Sequence, residues 1–131
     1  MAAKTLAFIF FSLFLHASFA ATFEREKAVT VCEQIAQEMQ ELASNPPETD
    51  LFCTDNVIRA STALQFASQA ISQENLLHAL IHLLSAEKAL RVIQLRRENC
   101  SYFANAIKPH LPLVIALRQE LSDETDTYHL T

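Results

Sequence analysis

Glycine is missing from all 131 residues, against a usual share of about 7%. Turns that need a positive φ therefore lack the one residue that adopts it without steric cost, and Asn and Asp become the mildest substitutes. Tight β-hairpins, phosphate-cradling loops and strand–turn–helix nucleophile elbows all lean on such glycines. Their loss points to an all-α chain. Basic charge is scarce too: 10 Lys and Arg stand against 15 Asp and Glu, a formal net charge of −5. Nucleic acid and anionic bilayers call for a basic surplus, so neither is an expected partner. After residue 20 no run of about 18 uninterrupted apolar residues occurs, so the mature form is not expected to span a membrane. Neither C-x-x-C-H nor H-E-x-x-H is present.

Residues 1–20, MAAKTLAFIFFSLFLHASFA, read as a cleavable secretory signal. Lys4 supplies the positive start, Leu6 to Leu15 is an apolar run broken only by Ser12, and Ser18 and Ala20 are the small residues a signal peptidase reads. As a helix that run spans about 15 Å, half a hydrocarbon core, which favours a signal over an anchor. Cleavage between Ala20 and Ala21 also removes Lys4 and leaves the mature chain more acidic. A secreted or periplasmic location follows. The remainder divides into a helical bundle domain over 21–121 and an acidic, flexible tail over 122–131.

The stretch from Ser72 to Glu98 is expected to be one helix and the centre of the fold. Apolar residues from Leu76 and Leu77 through Ile81 and Leu84 to Ile93 and Leu95 cover more of its circumference than one buried stripe requires. It should be covered on more than one side, by neighbours in the fold or by a partner. A first helix is expected from Phe23 to Ala43 with Thr22 at its N-cap. Ala28, Cys32, Ile35, Met39 and Leu42 form its seam, with spacings of 4, 3, 4 and 3. Asn45, Pro46 and Pro47 stop it. Leu51 and Phe52 are expected to tuck under the bundle end. A second helix should run from Asp55 to Ile71, capped by Thr54 or Asp55, along the seam Val57, Ala60, Leu64, Ala67 and Ile71. Extending that seam would place Glu74, His78, Ser85 and Lys88 in the core, so a break falls within Ser72–Asn75, with Ser72 or Asn75 capping the next helix.

The fourth helix is expected from Ser101 to Leu121, kinked where Pro109 and Pro112 each remove a backbone donor. Phe103, Ile107, Leu111, Val114 and Leu117 keep its period. Four helices of roughly 20 residues make an up-down-up-down four-helix bundle the expected architecture.

In that topology Cys53, before the second helix, and Cys100, after the third, meet at one end. Cys32 sits about 13 Å along the first helix, beyond the reach of a bridge. The expected disulfide is Cys53–Cys100, with Cys32 a buried free thiol. His78 and His82, one turn apart, are a possible pair of ligands for a divalent metal, given a third ligand from elsewhere. Otherwise they belong to a polar stripe with Glu74. Ser85, three residues after His82, lacks an oxyanion hole because mid-helix amides are already bonded. Lys88, Arg91, Arg96 and Arg97 complement the dipole at the end of the third helix. Asn99-Cys100-Ser101 fits the N-glycosylation pattern, next to a disulfide expected to crowd a glycan.

The expected function is that of a non-enzymatic bundle, without cofactor, that binds another protein or self-associates through an apolar helix surface. A bundle binding metal or a small ligand through His78 and His82 is the alternative.

Overall fold

The computed structural model describes residues 24–45 and 51–130. Every regular element among them is a helix: α1 (Arg25–Ser44), α2 (Leu51–Ser72), α3 (Leu76–Leu95), α4 (Ser101–Ile107) and α5 (Leu111–Leu130). The expected signal segment, its cleavage point at Ala20 and Ala21, and Pro46 and Pro47 lie outside the described residues.

The seams read from spacing are largely buried, with Leu42, Leu111 and Leu117 only half-buried at the core's edge. Ala28, Cys32, Ile35 and Met39 of α1 and Val57, Ala60, Leu64, Ala67 and Ile71 of α2 join one core with Leu83, Leu90 and Ile93 of α3. Phe103 and Ile107 of α4 and Val114 and Leu121 of α5 complete it. Side-chain contacts give the directions. Ser61 Oγ donates to the Ala36 carbonyl at 2.8 Å and Ser68 Oγ to Glu33 Oε1 at 3.0 Å, so α1 and α2 are antiparallel. Arg96 lies over Phe52 and His82 beside Phe66, so α2 and α3 are antiparallel as well. The helix expected at the centre packs against α2, α4 and α5.

Several boundaries differ from the sequence reading, each for a local reason. α1 begins at Arg25 with Glu24, not Thr22, at its N-cap. α2 begins at Leu51, so Thr54 and Asp55 lie inside it and not at its start. Its seam continues backwards in phase to Cys53, four residues before Val57, and burial of that turn outweighs the pull of the polar side chains towards a cap. Phe52 is half-buried under Arg96 as expected, whereas Leu51 is 77% exposed.

α3 stops at Leu95, short of Glu98. The amides of Asn99 and Cys100 both donate to the Arg96 carbonyl and turn the chain towards α4. The fourth stretch is two helices separated by residues 108–110, which include Pro109, and Pro112 falls in the first turn of α5, where its missing donor is tolerated. α5 then continues to Leu130, past the expected end at Leu121. Neither Gly nor Pro interrupts it there, and Thr125 Oγ1 bonds back to the Ser122 carbonyl.

The α2–α3 break falls where the phase argument places it, but the residue at positive φ is Glu74, at 61°, and neither an Asn nor an Asp. The Asn75 amide donates to the Ala70 carbonyl at 2.8 Å and the Glu74 amide to that of Ile71 at 3.1 Å. This double bond pattern closes helices whose C′ residue is left-handed. Asn75 Oδ1 then accepts from the His78 amide at 3.4 Å and caps α3, one of the two caps expected.

Candidate interaction face of α2 and α3

α3 is met by α2, α4 and α5, and one side of it is left open. Along it run Leu77, Ile81 and Leu84, 56%, 53% and 46% exposed, spaced four and three residues apart. That spacing keeps them on one side of the helix. On α2 the neighbouring outward positions are Ile58 and Phe66, each about half exposed. Between the two helices lies a shallow open groove of about 410 Å³, with Ile58, Arg59 and Phe66 on one wall and His82 and Ser85 on the other. Arg59 and Asp55 put charge of both signs at its α2 side.

The two histidines take different places. His82 stacks obliquely on Phe66, ring centroids 5.3 Å apart and 32° between planes, and so forms part of the groove wall. His78 is exposed. Among the described residues no group of three His, Cys, Asp or Glu side chains converges to hold a metal ion. The third ligand that the divalent-metal reading calls for is not among them. Ser85 is exposed in the groove, in the middle of α3.

Of the cysteines, Cys53 and Cys100 come together at disulfide distance, Cα atoms 5.7 Å apart, and both are fully buried. Cys32 is a buried free thiol. Burial first, and the negative charge of Glu33 second, push its pKa up to about 12. It is a core side chain, with the thiolate strongly disfavoured.

Two polar constellations escape the sequence reading. Glu87 is buried on α3 and accepts bonds from two arginines. Arg118 Nε of α5 donates to its Oε2 at 2.8 Å, and Arg91 donates to its Oε1 from two nitrogens at 3.1 and 2.9 Å. Burial alone raises the carboxyl pKa; the bonds and charges of Arg118 and Arg91 outweigh it and hold the group below its ordinary value. Arg118 is raised in turn, chiefly by its bond to Glu87. Arg91, read as a complement to the helix dipole, is thus a partner of Glu87. An available signal was phase: Glu87 lies four residues after Leu83 and three before Leu90, on the buried seam itself. The second constellation is His110 Nε2, 2.6 Å from Glu38 Oε2, which joins the α4–α5 turn to α1. Sequence spacing offers no signal for that pair, because its members are 72 positions apart in the chain.

Among the described residues no helix is long and apolar enough to cross a membrane. In comparisons with known proteins, no protein-family model, curated protein or solved structure matches the chain.

Proposed function

We propose that this chain is a secreted or periplasmic, non-enzymatic helical protein that acts by binding another protein through the outer face of α2 and α3. One observation carries the reading: the exposed periodic row Leu77, Ile81 and Leu84 on α3, with Ile58 and Phe66 half-exposed on α2. Single exposed apolar residues need no explanation, but a periodic apolar row on a helix, with a groove of mixed polar and apolar lining on the same pair of helices, is the pattern by which helices seat a partner helix. Arg59, Asp55 and Lys88 supply a charged margin that would orient the partner. Export is supported by the signal-like residues 1–20 and by a cysteine pair at disulfide distance. In this reading α1, α2, α3 and the α4–α5 pair form the arms of an up-down-up-down bundle, the last kinked at Pro109 and Pro112.

The test is a double variant, Ile81→Glu with Leu84→Glu, beside the wild type. Saturable, stoichiometric capture of one protein from secreted or periplasmic extract, lost in the variant at unchanged melting temperature, is the expected result. A concentration-dependent mass lost in the same variant identifies the partner as a second copy. Equal capture by variant and wild type would reject the face. The ligand-binding alternative gains its support from His82 lying in the groove wall. A stoichiometric zinc ion in native mass spectra, lost on His78→Ala, would favour it.

A further inference from the structure

We infer that Asn99 is an N-glycan acceptor, modified on the same molecules that carry the Cys53–Cys100 bridge; the inference rests on the secretory reading above. The motif is Asn99-Cys100-Ser101, with a hydroxyl residue at the required third position and no proline between. Its middle cysteine raises the question of crowding, and the fold answers it. Asn99 is exposed, whereas Cys100 is fully buried, so adjacent side chains point in opposite directions. Cys100 reaches inward to Cys53 while Asn99 faces solvent from the turn between α3 and α4.

The surroundings give the glycan something to cover. Leu95, four residues before Asn99, is 85% exposed, and Leu51, two residues before Cys53, is 77% exposed. These are the two most exposed large apolar side chains among the described residues, and the cysteine pair ties their chain segments together.

In the folded turn the Asn99 and Cys100 backbone amides donate to the Arg96 carbonyl, and the Asn99 residue stays exposed. In a eukaryotic secretory pathway the donor would be an oligosaccharide linked to a lipid pyrophosphate. Asn99 Nδ2 forms a bond to the anomeric carbon as the bond from that carbon to the pyrophosphate oxygen breaks. The amide gives up one proton, the lipid pyrophosphate leaves, and nothing is oxidised or reduced.

The experiment expresses the full chain in eukaryotic secretory cells, once with residues 1–20 and once with a proven signal peptide placed before Ala21. Secreted protein is treated with an N-glycan-removing amidase and mapped without reduction. The expected result is a mass shift at Asn99, absent in Asn99→Gln and Ser101→Ala, retained in Ser101→Thr, with the bridge in the same glycopeptide. Unmodified protein secreted behind the proven signal would overturn the acceptor assignment. A glycan confined to molecules without the bridge would overturn the coexistence. If only the proven signal delivers glycosylated protein, the native secretory reading fails while the acceptor stands.

Discussion

A carboxylate on the helix face that also buries Leu83 and Leu90 must either find cations or take up a proton. Glu87 finds Arg118 and Arg91. Its folded pKa lies below the ordinary value of 4.5, so its contribution to stability is complete above that value and is lost as pH falls through the lower, folded one. Glu87→Gln keeps the shape but gives up the charge-assisted bonds and is expected to lose about 2 kcal/mol at pH 7. The gap should narrow below about pH 4.5; urea denaturation across a pH series measures it, and a gap independent of pH would reject the role. Cys32 behaves in the opposite sense. Its raised pKa makes its contribution complete up to about pH 9 and lost as pH rises towards about 12. At pH 8 the native thiol should resist a chromogenic disulfide reagent that titrates it fully in denaturant, and reaction at the rate of a small free thiol would contradict this. Cys32 was legible as a buried thiol from its place on the seam of α1, whereas the Glu87 cluster was not legible from residue type alone, since Glu87 and Arg118 meet only after α5 is laid on α3.

At the scale of elements, helical identity and inward faces were legible because spacing records them directly: the seams of α1 and α2 are buried as read except at Leu42, which is half-buried. Ends were less legible, because an end is decided by which neighbours bury the flanking turn. Thr54 and Asp55 have the chemistry of caps, yet Cys53 behind them is in phase with the core and the helix runs through. The α2–α3 turn shows a different limit. Phase located it, but which residue would take the left-handed conformation depends on a fixed bond pattern, and that pattern fell on Glu74. The Glu74 carboxylate pairs with Arg25 at the start of α1, but both side chains are mostly solvent-exposed, so this pair offsets little of the backbone cost. That cost is about 1–2 kcal/mol for an ordinary side chain and smaller for Asn. Glu74→Asn is therefore expected to be at least as stable as wild type, and Glu74→Val to lose about 1–2 kcal/mol, since a β-branched side chain tolerates this region worst. Chemical denaturation midpoints rank the three; a Val variant as stable as wild type would remove strain from the account of this turn.

At the scale of the molecule, the candidate face was only half legible. The apolar excess of the stretch around α3 announced that more than one side would be covered, and the structure assigns those sides to α2, α4 and α5 while leaving Leu77, Ile81 and Leu84 open. Which apolar residues stay outside depends on where every other helix lies, and one helix's spacing does not encode that. The cysteine pair couples these levels. Cys53 opens the buried phase of α2, Cys100 follows the turn after α3, and a bond between them would fix two helix ends and the start of α4 in one place. The bridge closes a separation of 47 residues, for which loop entropy gives about 4 kcal/mol, an upper figure because denatured-state structure reduces it. Small domains are stable by only about 5–15 kcal/mol, so this one bond would be a large share. Reduction, or Cys53→Ser with Cys100→Ser, is expected to lower the melting temperature by 10 °C or more, on the order of 4–8 °C per kcal/mol for a domain of this size. Cys32→Ala should cost about 1 kcal/mol through a small cavity, identically with and without reductant. Calorimetry on the three proteins, each with and without reductant, separates the effects. Peptide mapping without reduction identifies the bond: a bridge through Cys32 would contradict both the pairing and the buried position of that thiol on α1.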